Sequence, residues 1–317
     1  MKTLFACIAL AAATGAAAQS YPSRVVQIVV PYAPGGVVDF VGRTLGQRLS
    51  QQMGQPAVMD NRPGAGGIIG IEYTARSAPD GHTLVVMDPA IVINPSLQDK
   101  VPYDVLKDLV TVSVLGSSPL VLVVNPAVPA ASMRELIDYA KANPGKLNFV
   151  SAGIGTTPHM AGEMLKLRAN ASMQHVPYKG SGPAMADLVG GQVQMGFSSI
   201  TAALPFMRDG KLRGLATTGA KRSGALPELP TVIEAGYPGF EVDLWLGMFA
   251  PANLPAPVLA RLNKEVQAAL QDPAVRAAFA KVGVEPRGTS LEEGAGFVRA
   301  EFQKWAAVVR DGKLKNR

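Results

Sequence analysis

The sequence predicts a two-domain α/β protein with two mainly parallel sheets flanked by helices, and three observations lead to this prediction. The chain has 317 residues, more than one typical domain of roughly 100–200 residues. Short apolar runs alternate with amphipathic segments, as in strands that are buried between helices. Finally, two glycine-rich loops, at residues 33–36 and 151–157, each join a strand to a helix, and their separation along the chain suggests two sheets.

The elements follow in order along the chain. In residues 38–49, Val38, Val41, Leu45 and Leu49 recur at spacings of three and four, which predicts an amphipathic helix. Ser132 with Glu135, and Ser290 with Glu293, are capping boxes that each begin a helix. The predicted strands are 25–30, 57–59, 83–87, 120–124, 147–150, 193–197 and 212–217, and the predicted helices are 38–49, 68–76, 132–143, 159–169, 272–283 and a last one from 290.

The first twenty residues are typical of a secretory signal segment. Lys2 is the only charged residue there, and an apolar run over residues 4–13 precedes small residues that end at Ala18. Cleavage is expected after Ala18 or after Ser20, and an uncleaved anchor is the alternative. Because Cys7 is the only cysteine, the exported chain would contain no disulfide. We therefore expect a periplasmic protein that uses neither nicotinamide nor ATP.

The charge of the chain argues against nucleic acid as a partner. The formal net charge is +6, with a sequence pI of about 9.4, and the basic residues are spread along the chain. A nucleic-acid surface needs a dense basic patch, so a small anionic ligand fits this charge pattern better.

The two glycine-rich loops are candidates for binding that anion. A helix N-terminus presents backbone N–H groups that have no partner within the helix, and the helix dipole adds partial positive charge there. A carboxylate or phosphate therefore fits such a site. Gly35, Gly36, Gly153 and Gly155 would let the backbone approach a ligand. If the loops faced each other across a cleft they would hold an acid from both sides, although each loop could instead merely turn the chain.

Other motifs favour structural roles over chemistry. Gly64, Gly66 and Gly70 only approximate a dinucleotide-binding loop, so a tight turn is the preferred interpretation. His159 and Glu163 have a metal-binding spacing but no further ligand pair, so His159 is expected to order its loop. We predict no cofactor and no metal.

A hydrolase is the enzymatic alternative. The chain contains no G-x-S-x-G nucleophile motif. Ser151 or Ser181 could pair with a histidine, but no acid is placed beside that base. In the loop before residue 181, Tyr178 is expected to line the cleft, whereas Lys179 could either reach the anion or lie in solvent.

Five motifs in order carry a family resemblance. They are Pro31-Tyr32-Ala33-Pro34-Gly35-Gly36 with Asp39, Asn61-Arg62-Pro63-Gly64-Ala65-Gly66-Gly67, Ser151-Ala152-Gly153-Ile154-Gly155-Thr156 with His159, His175-Val176-Pro177-Tyr178-Lys179-Gly180, and Leu229-Pro230-Thr231 through Glu234-Ala235-Gly236-Tyr237-Pro238-Gly239-Phe240. Together they closely resemble the Bug receptors, the periplasmic substrate-binding proteins of tripartite tricarboxylate transporters.

The resemblance implies a two-lobed periplasmic-binding-protein fold of type II, in which the chain crosses between lobes near residues 116–119 and 244–248. The implied division is a signal peptide over 1–20, lobe 1 over 21–117 plus 247–317, and lobe 2 over 118–246. It also implies a non-catalytic receptor that hands a small carboxylic acid to one large and one small integral membrane subunit. We expect the receptor to be a monomer. A sensor for a membrane signalling protein is the alternative.

The resemblance also implies that backbone amides of residues 33–39 and 151–157 hold the ligand carboxylate. The candidate ligand-binding residues are Tyr32, Pro34, Gly35, Gly36, Asp39, Asp88, Ser151, Gly153, Gly155, Thr156, Thr157, His159, Tyr178 and Ser198.

Asp88 departs from the family pattern, which usually has small neutral residues after this strand. Inside the cleft, its charge would disfavour a second ligand carboxylate and could pair with an amino or hydroxyl group. Alternatively, Asp88 caps the following turn. The sequence therefore leaves an amino, hydroxy or aromatic acid as alternatives for the ligand.

Overall fold

The structure is a computed structural model that describes residues 21–315. The predicted signal segment and Cys7 lie outside the described residues. Within residues 21–315, no helix combines the length and the hydrophobicity that crossing a membrane requires.

Strands and helices alternate through most of the chain. The strands are β1 (Val26–Val30), β2 (Ala57–Asn61), β3 (Thr83–Met87), β4 (Leu109–Val124), β5 (Asn148–Ser151), β6 (Gln174–Pro177), β7 (Met195–Ser199), β8 (Arg213–Thr217), β9 (Asp243–Pro251) and β10 (Glu285–Pro286). The helices are α1 (Val37–Met53), α2 (Ile68–Ala75), α3 (Ala90–Leu97), α4 (Met133–Ala142), α5 (Thr157–Ala169), α6 (Ser181–Val189), α7 (Ile200–Arg208), α8 (Ala256–Gln271), α9 (Pro273–Lys281) and α10 (Leu291–Asp311).

The strands form two groups with parallel centres. In the first group β1 pairs with β2 and β3 in parallel, and β9 then pairs antiparallel with β3. In the second group β5 pairs with β6 and β7 in parallel. Because the strands of each parallel set point the same way, the loops after their carboxyl ends gather at one edge, which is where open α/β sheets bind ligands.

Strand β4 belongs to both groups. Its first part pairs antiparallel with β9, from Leu109 opposite Pro251 to Pro119 opposite Asp243. Its last part, from Leu120, pairs with β7 and β8. The long strands β4 and β9 therefore connect the two parts of the molecule side by side.

The sequence analysis predicted only residues 120–124 of β4. Small and polar residues from Gly116 to Pro119 interrupt the apolar pattern, so the first half of the strand does not stand out. Gly116 is needed there because a Cβ would lie 2.4 Å from the Glu285 carbonyl oxygen of β10. The close backbone approach at the crossing thus hides the strand from a periodicity analysis.

The helix starts predicted at Ser132 and Ser290 are confirmed. Ser132 accepts a hydrogen bond from the Glu135 amide, and Ser290 with Glu293 forms a complete capping box. The N-cap of α5 is Thr156, so the helix begins two residues before the predicted residue 159. Helix α3 was not predicted, because Pro95 within it reads as a helix breaker.

Candidate functional site

A narrow cavity lies where the helices that follow the strands of both sheets converge. Its volume is about 20 Å³, enough for roughly one water molecule. The cavity is lined by Tyr32, Gly36, Val37, Val38, Asp39, Asp88, Ala152, Pro158, Ser181, Ser199 and Leu244.

Helix N-termini dominate the cavity wall. The N-caps of α1, α5 and α6 are Gly36, Thr156 and Gly180, and none of the three supplies a side-chain acceptor for its helix. The first-turn N–H groups of these helices therefore have no cap from a side chain, and the helix dipoles add partial positive charge. An anion placed among them would meet donors from both sheets.

Asp39 holds the first loop in shape. Its carboxylate accepts hydrogen bonds from the Gly35 amide at 3.3 Å, the Arg43 Nε at 3.0 Å and the Asn61 Nδ2 at 3.0 Å. Burial alone would raise the pKa of Asp39, but these hydrogen bonds and the Arg43 charge hold the pKa below its ordinary value. The carboxylate is thus neutralised by the protein itself, and the Gly35 amide is used inside the loop.

The second loop is also held by its own residues. The Ser151 hydroxyl oxygen accepts the Gly153 amide at 3.1 Å, and the Thr156 hydroxyl donates to the Gly153 carbonyl at 2.7 Å. The Gly155 amide donates to Nδ1 of His159 at 3.2 Å. These loop amides are therefore engaged by hydrogen bonds within their own loop.

His159 stacks on His175 with ring centroids 4.1 Å apart. Burial, with a smaller contribution from the charge of Lys166, lowers the pKa of His159 to about 4 and that of His175 to about 3, while the charge of Glu163 acts in the opposite direction on His159. Both rings are consequently neutral near pH 7. His159 thus orders the loop through its bond to the Gly155 amide, in the role that the sequence predicted.

Ser151 approaches a histidine, as the hydrolase alternative requires, since its Oγ lies 2.6 Å from Nε2 of His175. Ser151 is only 1% exposed and does not line the cavity. The charged neighbours that shift the pKa of His175 are His159 and Lys166, neither of which is an acid. The pair therefore lacks both substrate access and a carboxylate to orient the base.

Asp88 caps the turn into α3, one of the two alternatives that the sequence left open, because its Oδ1 accepts the Ala90 amide at 3.0 Å. It also lines the cavity, and its effect on a ligand stays a prediction. Oδ1 accepts a second hydrogen bond, from the Tyr32 hydroxyl at 2.9 Å. Asp88 is 3% exposed. Burial raises its pKa to about 6, although hydrogen bonds from Ala90 and Tyr32 act in the opposite direction.

The two sheets touch beside the cavity through glycines. A Cβ on Gly66 would lie 2.1 Å from the Ile154 carbonyl oxygen, and one on Gly155 would lie 1.9 Å from Oδ1 of Asn94. On the other side, the Ala33 amide donates to the Lys179 carbonyl at 3.1 Å. The loops of the two sheets thus meet directly, which places the molecule in a closed arrangement.

A family model described as the tripartite tricarboxylate transporter family receptor matches residues 41–314. The chain belongs to this receptor family. Its members are solute receptors and not enzymes, so the chain is a receptor and Ser151 with His175 is part of its loop structure.

Similar proteins align with this receptor over almost its whole length. BugT of Bordetella pertussis is 40% identical over 324 residues, which is 99% of this chain and 99% of BugT. Rpa4515 of R. palustris, solved with adipate, is 34% identical with a TM-score of 0.90 over 92% of this chain and 98% of its own. MatC of Rhodopseudomonas palustris, solved with malate, is 33% identical, with a TM-score of 0.85, and the match covers 91% of this chain and 100% of MatC. These likenesses confirm the predicted two-lobed fold.

Not every predicted ligand residue of the receptor reaches the cavity. Tyr32, Gly36, Asp39 and Asp88 line it. The Tyr178 hydroxyl donates to Asp187 at 2.6 Å, and Tyr178 borders a second, wider groove, where it faces Ala65, Gly66, Leu97 and Gln98 together with Gly153, Ile154 and Pro177. That groove is lined by residues of both predicted lobes, so the expectation that Tyr178 lines the cleft stays a prediction. The predicted residues that do not line the cavity are Pro34, Gly35, Ser151, Gly153, Gly155, Thr156, Thr157, His159, Tyr178 and Ser198.

The sequence analysis missed several lining residues of the receptor. Ser181 carries a recognisable signal, because Gly180-Ser181-Gly182 before α6 repeats the pattern of the two predicted loops. Val37 and Val38 follow Gly36 at the start of α1. Leu244 comes from the crossing strand β9, so only the tertiary fold brings it to the site.

We expect Gly66→Ala to open the receptor. The new methyl group would collide with the Ile154 carbonyl of the opposite loop, and Gly66 has a φ of +62°, so the backbone is also strained by about 1 kcal/mol. Small-angle X-ray scattering should show a larger radius of gyration than for the wild type. Gly54→Ala is the matched control, because its φ is +70° and nothing lies within 4 Å of its Cβ. Identical scattering curves for Gly66→Ala and the wild type would contradict this contact.

We expect Asp88→Asn to stabilise the ligand-free receptor near pH 7. A pKa raised to about 6 means that the folded state disfavours the charged carboxyl. The free-energy cost of ionising Asp88 in the folded state is absent below the pKa of the unfolded state. It grows as the pH rises towards 6 and reaches roughly 3 kcal/mol. Urea unfolding should show this gain at about pH 7.5, and the gain should disappear near pH 4. A gain of equal size at both values would show that the charge is not its cause.

Proposed function

We propose that the receptor binds a small carboxylic acid between its two lobes and delivers it to a membrane transporter built from one large and one small integral subunit. The observation that carries this proposal is the convergence of the uncapped N-termini of α1, α5 and α6 on one cavity. The adipate and malate bound by two similar receptors are carboxylic acids, which supports the same ligand class here.

The strength of the donors suits reversible capture. A hydrogen bond to a charged acceptor contributes roughly 1.5–3 kcal/mol. Three or four such bonds, reduced by the ordering of ligand and loops, give about −8 kcal/mol, which corresponds to micromolar affinity. In residues 21–315, the buried hydroxyls of Thr157 and Ser198 lack a hydrogen-bond partner. Beside the first turn of α5 and the cavity residue Ser199, they are further donors for a ligand or a bridging water.

The size of the cavity implies a cycle of opening and closing. About 20 Å³ is too small for an organic acid, so the ligand enters and is held with the lobes further apart than they lie here. In this proposal lobe 1 comprises residues 21–117 plus 247–317 and lobe 2 comprises 118–246, with β4 and β9 as the hinges. The acid shifts the population towards a liganded arrangement that the membrane partner reads.

The place of action follows from the predicted signal segment, which would export the mature chain to the periplasm. Crosslinking in cells identifies the partner. Capture of the two integral subunits supports delivery for transport, whereas capture of a membrane signalling protein would support the sensor alternative.

A thermal-shift screen of the mature protein against small carboxylic acids tests ligand binding. An acid present at about 100 times its dissociation constant should add roughly 2.7 kcal/mol to the free energy of unfolding. The panel includes the matching amides, which lack the charge. If the amides stabilise as well as the acids, or if no acid stabilises, the proposal fails.

We expect Gly36→Val to weaken binding of the acid found in that screen by about tenfold or more, or roughly 1.4 kcal/mol. Gly36 has an ordinary φ of −91°, so a side chain strains little, yet its Cβ would lie 3.2 Å from the Ser181 hydroxyl inside the cavity. Isothermal titration calorimetry measures the affinity. Gly296→Ala, on the exposed face of α10, is the control that should bind normally. An unchanged affinity for Gly36→Val would place the ligand elsewhere.

A further inference from the structure

One wall of the cavity carries a buried carboxyl group, that of Asp88, for which the described part of the chain supplies no salt-bridge partner. Asp88 is 3% exposed and lines the cavity together with Ser181 and Ser199, which belong to the second group of strands and helices. Its side chain accepts hydrogen bonds from the neutral Tyr32 hydroxyl and the Ala90 amide. Within residues 21–315, no lysine, arginine or histidine forms a salt bridge with it. A buried carboxylate without a cation is costly, and such groups are usually paired.

The other carboxylate at the cavity shows the contrast. Asp39 is held by Arg43, whose guanidinium Nη2 lies 2.9 Å from Oδ1, and by the Asn61 amide. Asp39 therefore has its counter-ion within α1, and its oxygens are occupied. The two hydrogen bonds to Asp88 both reach Oδ1, and Oδ2 takes part in neither.

We propose that Asp88 selects a carboxylic acid that also carries a protonated amino group. In this arrangement the ligand carboxylate meets the N-termini of α1 and α5, and the ligand ammonium pairs with Asp88. This inference rests on the proposed function and narrows its ligand class. The cavity then has a positive and a negative pole, which matches a zwitterion, whereas a second carboxylate beside Asp88 would be repelled.

Tyr32 acts as the positioning residue in this arrangement. Its hydroxyl donates to Oδ1, and the Ala90 amide donates to the same oxygen. The two bonds fix the carboxylate plane at the start of α3. Tyr32→Phe should therefore weaken ammonium binding less than Asp88→Asn does, and it should leave the preference for an amino group intact.

The titratable groups around Asp88 keep their charge between pH 5 and 8, so the pH dependence of binding reports on Asp88. Burial raises the pKa of Tyr32 and of Tyr103, so both stay neutral up to pH 8. Asp39 has a lowered pKa and stays ionised, while His159 in the lobe opposite is neutral above a pKa of about 4. Between pH 5 and 8, the charge at the cavity therefore changes through Asp88, whose pKa is about 6.

The first experiment compares matched ligands by thermal shift and calorimetry. The amino acids alanine, β-alanine and 4-aminobutyrate place the ammonium at three distances from the carboxylate. Propionate and butyrate lack the amino group, lactate replaces it by a hydroxyl, and malonate and succinate replace it by a second carboxylate. At least one amino acid should bind more tightly than its unsubstituted, hydroxy and diacid counterparts. Tighter binding of lactate or of a diacid would overturn the proposal.

The second experiment removes the charge but keeps the shape. Asp88→Asn should weaken binding of the preferred amino acid by roughly thirtyfold or more, the effect of removing one partner of a buried charge pair. It should leave propionate unaffected and strengthen succinate. Asp138→Asn, at an exposed site on α4, is the control that should bind as the wild type does. If Asp88→Asn binds the amino acid as tightly as the wild type, Asp88 only caps the turn into α3, and the inference is overturned.

The pH profile separates the two possible roles of Asp88. If its carboxylate binds an ammonium, affinity for the amino acid should rise about tenfold from pH 5 to 7.5, the ratio of the ionised fractions at a pKa of about 6. Asp88→Asn should abolish this rise. Affinity that falls with rising pH would mean that a protonated Asp88 donates to a second carboxylate, contrary to the proposal.

The outcomes also distinguish this inference from the proposed function. Binding of monoacids or diacids without preference for an amino group leaves the carboxylate receptor intact and overturns only the role of Asp88. Failure of every acid to bind overturns both.

Discussion

The N–H groups of the first helical turn cannot be satisfied within their own helix, and this constraint organises the site. At four of the ten described α-helices the N-cap side chain supplies an acceptor; these are Ser132, Ser199, Asp272 and Ser290, for α4, α7, α9 and α10. The N-cap residues of the other six supply none, and three of these six helices, α1, α5 and α6, begin at the cavity. The three uncapped ends converge on one cavity, so the donors left open by the fold are concentrated where an anion can use them.

Close backbone contact joins the loops of the two sheets next to the cavity. Gly66 meets Ile154, Gly155 meets Asn94, and the Ala33 amide bonds to the Lys179 carbonyl. Under the proposed function these contacts separate when a ligand enters, and the binding energy of the acid shifts the balance between the two arrangements. Strands β4 and β9 lie beside each other between the two groups of strands, with register shifts between Thr111 and Ser113 and between Val114 and Gly116. In the same proposal, bending occurs about this pair of strands.

Local signals in the sequence predicted the parts of the fold that local physics determines. The spacing of Val38, Val41, Leu45 and Leu49 predicted α1, and the capping boxes predicted α4 and α10, because these patterns act within a few residues. The glycine loops indicated helix N-termini at the site for the same reason. Leu244 and the first half of β4 escaped because their places depend on the pairing of β4 with β9. The sequence also could not show that the Gly153 and Gly155 amides bind Ser151 and His159, since such bonds depend on three-dimensional geometry.

The two carboxyl groups at the cavity, those of Asp39 and Asp88, have different surroundings and opposite pKa shifts. Asp39 has a lowered pKa because Arg43, Asn61 and the Gly35 amide outweigh its burial, and it serves the loop. Asp88 has a raised pKa because burial outweighs the bonds from Ala90 and Tyr32. A turn cap at this position needs no charge, since an asparagine oxygen accepts the same two bonds. The fold therefore keeps a destabilising charge where a neutral residue would suffice, and such strain is typical of a site that a ligand completes.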